Sequence, residues 1–198
     1  MSNRATDRPE SPSLRSRKGS ELRLSGPALV DLMRAVLARG RAFRFRARGW
    51  SMSPFIRDGD VITVARLQPR PGSANVPPGS SSPAEHAPSG RACGIGQIVA
   101  FASPVSQRLV VHRIVGRRES SFLVQGDGMG GALADVASPG DIVGRVVRIE
   151  RGRKRVWLGL GPERYGIAVL SRAGLLLPLL KRASMLARFL RRRPHGNN

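Results

Sequence analysis

The chain has 198 residues, 40% of them hydrophobic, enough to bury the core of one domain and too apolar for overall disorder. Its 34 Lys+Arg against 13 Asp+Glu give a formal charge of +21, carried almost wholly by arginine, which attracts polyanions such as nucleic acid or anionic lipid. The single cysteine, Cys93, excludes an internal disulfide and a cysteine-built metal site, and no stretch reaches the roughly 18 uninterrupted apolar residues of a spanning helix.

Residues 1–24 are polar and rich in Arg, Ser and Pro, the composition of a disordered tail without the apolar core of a secretory signal. From 26 to 40 the rhythm is helical: Leu29, Leu32, Met33, Val36 and Leu37 share one face, and Gly40 is the stop signal. The period then changes to two. Phe43-Arg44-Phe45-Arg46 alternates apolar and basic, and further strands are predicted over 60–67, 97–101, 109–115, 122–125, 142–150 and 156–160. Gly116-Arg117-Arg118-Glu119 reads as a hairpin turn. Residues 68–93 hold six prolines among Gly, Ser and Ala, so they read as a disordered insert. Short strands with little helix between them predict a mainly β chain, with a coiled all-β domain over 41–160. Over 161–193 the pattern returns to basic, amphipathic helix. Two readings of that tail stand side by side: a helix pair packed on the sheet, or a helix lying on an anionic membrane surface.

The chemistry-bearing residues follow the strands. Ser51 sits in Gly49-Trp50-Ser51-Met52-Ser53-Pro54, at the mouth of a strand, on a backbone constrained by Gly and Pro. A serine becomes a nucleophile when a neighbour takes its proton. No lysine lies between Lys18 and Lys154, so the predicted β core has none to do this. His112 stands in the middle of an apolar strand, with an intrinsic pKa close to working pH. A lone His there is ordinarily a packed structural residue; together with Ser51 and Asp127 it reads as a general base between a nucleophile and an orienting acid. His86 lies in the Pro-rich insert and is set aside. Asp58, Asp60 and Asp141 sit in predicted turns, where an Asp carboxylate ordinarily bonds its own backbone.

These residues carry a family resemblance. Gly49-Trp50-Ser51-Met52-Ser53-Pro54, with Gly59-Asp60 after it, resembles the Ser-Met-x-Pro box of type I signal peptidases and the related self-cleaving repressors. Gly96-Gln97-Ile98-Val99-Ala100-Phe101 resembles the strand that follows that box. Val111-His112-Arg113-Ile114-Val115 is similar to the segment where bacterial signal peptidases place Lys and the archaeal and endoplasmic-reticulum branch places His. Gln125-Gly126-Asp127 resembles the Gly-Asp box, and Gly140-Asp141-Ile142-Val143-Gly144-Arg145-Val146 the closing strand. The likeness covers about residues 46–150.

It implies a coiled β peptidase fold with Ser51 as nucleophile, His112 as general base and Asp127 as the acid that orients the imidazole. Asp135 is the competing acid, because the His-type branch carries a second Asp shortly after the Gly-Asp box. The Ser51 backbone N–H is the candidate oxyanion donor, and Met52 walls a pocket for a small side chain; Trp50 either lines the cleft or packs in the core. No metal or cofactor is implied. The substrate is a signal or leader peptide. Such signal peptidases hold a spanning helix just before the serine box, and residues 26–39 are too short and charged for one, so the expected location is peripheral to the membrane or cytoplasmic. Two other readings remain: an inactive signal-peptidase-like binding module, and a basic β-barrel that binds nucleic acid. Aromatic residues are only 5% of the chain, which argues against a base-stacking surface.

Overall fold

The computed structural model describes residues 26–67, 93–130 and 134–191. The tail 1–24, the insert apart from Cys93, and His86 lie outside the described residues. The architecture is one antiparallel sheet of eight strands with three helices. Helix α1 spans Gly26–Ala38 and buries Val30, Met33 and Leu37. Of the face read from the sequence, Met33 and Leu37 are buried, Leu29 and Val36 are half-buried and Leu32 is exposed, so the buried stripe is turned toward Val30. The strands are β1 (Phe43–Arg46), β2 (Val61–Ala65), β3 (Ile98–Ala102), β4 (Leu109–Arg118), β5 (Ser121–Gln125), β6 (Asp135–Ala137), β7 (Ile142–Arg151) and β8 (Lys154–Val156). Their order in the sheet is β1-β2-β7-β3-β4-β5-β6, with β8 paired to the end of β7.

The sheet encloses two cores, and the inner strands serve both. Ile98 and Ala100 of β3 pack with Met33, Leu37, Ile62, Val64 and Ile149, while Val99 and Phe101 pack with Ile114, Phe122 and Val124 on the other side. This is why β3 is apolar at every position instead of alternating. Register shifts at Thr63/Val64, Ala100/Phe101 and Ile114/Gly116 interrupt three strand pairs. Irregularities of this kind sharpen the twist and let a sheet coil around its own contents.

Three details differ from the sequence reading. Gly116 does not turn the chain: β4 continues to Arg118, and the hairpin turns at Glu119-Ser120, with Glu119 at φ +52°. The strand expected over 156–160 ends at Val156, and turns follow it. The short β6 was not anticipated; it pairs with β5 through Val124↔Asp135. Helices α2 (Arg164–Arg172) and α3 (Leu176–Arg191) follow the sheet. Ile167 and Leu176, supported by Leu170 and Leu180, close over Phe55, so the helix pair is fastened beside the Ser51 turn. Among the described residues, no helix is long and apolar enough to cross a membrane.

Candidate active site

Ser51 lies on a turn between β1 and β2 that is fixed from several directions. The N–H of Gly49, a residue at φ +94°, donates to Asp58 Oδ1 at 2.8 Å. Within the turn, the Ser53 N–H donates to the Trp50 carbonyl and the Ile56 N–H to the Met52 carbonyl, each at 3.0 Å. Met52, Phe55 and Ile56 are buried and anchor it from below. At its far end the Asp60 carboxylate accepts the Arg57 N–H at 2.9 Å and the fork of Arg151, at 3.0 and 2.8 Å. Burial pushes the Asp60 carboxyl up, but the Arg151 and Arg57 hydrogen bonds outweigh it and leave the group below its usual range. Asp58 thus braces the entry to the serine turn, and Asp60 ties its exit to β7.

The turn is held from above by the loop after β5. The Gly128 N–H donates to the Ser51 carbonyl at 2.7 Å. A Cβ on Gly126 would come within 2.5 Å of the Ser51 carbonyl oxygen, and one on Gly128 within 2.6 Å of the Trp50 carbonyl oxygen. Glycine at both positions is therefore a packing requirement of the serine turn. Asp127, between them, is buried and turned to Arg113. Arg113 donates from Nε to Oδ1 at 2.9 Å and from Nη2 to Oδ2 at 2.7 Å. Its Nη1 donates to the carbonyls of Gly96 at 2.8 Å and Gly159 at 2.9 Å, and its guanidinium lies 5.4 Å from the centroid of the Phe55 ring. Burial pushes the Asp127 carboxyl up, and the permanently charged Arg113 pulls against that shift. Arg113 therefore connects β4 to the Gly126–Gly128 loop, two further turns and the floor of the serine turn.

His112 lies on the opposite face of β4 from Arg113. Val110, His112 and Ile114 alternate onto the face of the second core, and the imidazole packs 5.9 Å from the Phe101 ring centroid. Its Nδ1 lies 3.5 Å from Asp135 Oδ2, with the His112 side chain 6% exposed and that of Asp135 63%. This is an electrostatic approach and not a formed hydrogen bond, since Nδ1 has no hydrogen-bond partner. Burial pushes the His112 pKa down and the Asp135 charge pulls it back only in part, so the imidazole is neutral at neutral pH. The sequence reading gave the orienting place first to Asp127. The structure commits the Asp127 oxygens to Arg113 and brings Asp135 to the ring.

A groove of about 310 Å³ opens beside the serine, lined by Phe45, Ser51, Met52, Ile62, Leu109 and Val111 among others. Met52 contributes to its wall, whereas Trp50 is 72% exposed and lies outside the lining. Cys93 is buried, which pushes its thiol up to about 11 against the opposing pull of Arg117 and Arg145, so it stays protonated and unreactive. Among the described residues, no His, Cys, Asp and Glu side chains cluster to hold a metal ion. Arg113 is the residue that sequence reasoning missed. The only signal was an arginine alternating with the apolar face of a strand, which usually marks a solvated edge. Comparison with protein-family models and with curated proteins gives no match for the chain.

Proposed function

We propose that the chain is a serine endopeptidase of the signal-peptidase type, with Ser51 as nucleophile, His112 as general base and Asp135 as the acid that orients it. The observation that carries this reading is the buried, neutral imidazole of His112 with an acid 3.5 Å from one ring nitrogen. Such a residue needs only a positioned hydroxyl at its other nitrogen to act as a base. The serine turn supports the reading because it is built to be rigid. Its carbonyl accepts the Gly128 N–H, and Gln125, the last residue of β5 before that loop, is registered with Arg113, the neighbour of His112. The eight-stranded antiparallel sheet is compatible with the coiled β fold that the motifs imply.

In this mechanism His112 takes the Ser51 hydroxyl proton as Oγ attacks the carbonyl carbon of the scissile bond. The imidazolium then gives that proton to the leaving amine as the C–N bond breaks and the acyl-enzyme forms. A water molecule, deprotonated by His112, attacks the ester carbonyl, and the proton returns to Ser51 Oγ as it departs. Asp135 stabilises the imidazolium in both halves, and the Ser51 backbone N–H is the oxyanion donor. The groove walled by Met52 and Ile62 takes the peptide on the acyl side, with a small residue before the scissile bond. The substrate class is a signal or leader peptide, and the location is cytoplasmic or peripheral to a membrane.

The test is labelling by a serine-reactive acylating probe, comparing wild type with Ser51→Ala and His112→Ala. Labelling that requires both side chains is the expected result. A folded wild type that takes no label points instead to a binding module that has kept the site's shape without its chemistry.

A further inference from the structure

Helix α3 presents two different apolar faces. Leu176 and Leu180 are spent on packing against Phe55, Ile167 and Leu170. Leu175, Leu179 and Leu186 fall on another stripe, at i, i+4 and i+11, and remain 52%, 45% and 60% exposed. Leu175 belongs to the same helical turn, because its carbonyl accepts the Leu179 N–H at 3.1 Å. Arg182 lies within this stripe, three residues after Leu179 and four before Leu186, with Lys181 beside it, and both are exposed. Charge in this part of the chain has one sign. After Glu163 the sequence contains eight Lys or Arg and no Asp or Glu.

We propose that the exposed stripe of α3 is an interfacial anchor, which lies flat on an anionic lipid bilayer with Leu175, Leu179 and Leu186 entering the headgroup boundary. Arg182 and Lys181 extend their aliphatic stems along the interface and set their charges among lipid phosphates. The partner follows from charge and apolarity taken together. Nucleic acid would satisfy the arginines but leave three leucines against phosphate and water. A second copy of the chain would cover the leucines but bring two surfaces of the same strong charge together. An anionic bilayer satisfies both. The inference does not depend on the chemistry of Ser51, since none of the residues involved belongs to that site.

The experiment is co-sedimentation of the full chain with vesicles of phosphatidylcholine containing phosphatidylglycerol, against vesicles of phosphatidylcholine alone, at low and high salt. Wild type is expected to bind the anionic vesicles and to be released by salt. Leu179→Glu/Leu186→Glu should weaken binding at least tenfold, and Lys181→Gln/Arg182→Gln by about fivefold for each charge removed. The charge variant keeps the test decisive if the leucine variant fails to fold. Wild type that stays in the supernatant with anionic vesicles overturns the proposal, as does binding that neither pair of substitutions changes. Capture by a single-stranded oligonucleotide in place of vesicles would reassign the face to nucleic acid, and a leucine-dependent dimer in light scattering would reassign it to self-association.

Discussion

At His112 burial and a neighbouring charge oppose each other, and burial is the larger effect. The folded pKa lies below the ordinary value of 6.5, so the base catalysis proposed for His112 should persist as pH falls through 6.5 and fail only below it. The same shift makes folding linked to pH. Between the folded and unfolded pKa values the unfolded chain binds the extra proton, so the contribution to stability is complete above the unfolded value and is lost as pH falls toward the folded one. Unfolding measured at pH 7.5 and 5.5 should show a loss in wild type that is smaller in His112→Gln; equal losses would contradict the assignment. The two aspartates should separate in a second experiment. Asp135→Asn removes the charge facing the ring, so probe labelling should slow by tenfold or more while thermal stability changes little. It should also move the acidic limb to lower pH, because the opposing pull is gone. Asp127→Asn leaves Arg113 buried with an incomplete partner, at a cost of about 3 kcal/mol or more, so it should appear first in the denaturant midpoint. If Asp127→Asn abolished labelling at full stability and Asp135→Asn did nothing, the roles would be reversed.

Among the elements, the loop after β5 is the one whose sequence is explained by contact at nearly every position. Gly126 and Gly128 let it approach the serine turn, and Asp127 pins it to β4. Gly128→Ala would set a methyl group 2.6 Å from the Trp50 carbonyl oxygen and push the turn away. A displacement approaching 1 Å at a reacting atom, the role proposed for Ser51 Oγ, lowers reactivity by about 10²-fold. Labelling by the acylating probe should fall by that order while the protein remains folded; unchanged labelling would mean that the loop does not position Ser51. Gly116 shows how a correct signal can be given the wrong meaning. A glycine after an apolar run reads as a turn, but here it sits at the irregularity between β4 and β5, where a Cβ would meet Arg172 Nη1 at 2.7 Å. Strand β6 escaped notice because three residues at an edge have too little pattern to detect.

Across the whole molecule, β7 is the strand on which the sheet depends. It pairs with β2, β3 and β8, and Ile149, fully buried, faces both Ile62 and Val156 in the register. Ile149→Ala should cost about 2–5 kcal/mol, read as a lower urea midpoint with an unchanged slope. A loss under 1 kcal/mol would place the centre of the core elsewhere. The surplus of positive charge has a division of labour at this scale. Arg113 and Arg151 are structural, each holding an aspartate inside the fold. After Glu163 the sequence carries eight Lys or Arg and no Asp or Glu, the stretch on which the proposed lipid contact rests.

Features that depend on neighbours along the chain are legible in the order of the residues. Alternation in β1, the apolar rhythm of α1, and the Gly49, Pro54 and Asp58-Gly59 signals around Ser51 express local backbone preferences, and the elements they indicate are present. Which acid lies beside His112 depends on contacts between distant strands. Asp127 and Asp135 are the same residue type, eight positions apart, and nothing in their order says which faces the imidazole. The choice is made by Arg113, whose guanidinium is enclosed at 0% exposure and must find a carboxylate. It takes Asp127, and the pairing of β6 with β5 then delivers Asp135 to His112.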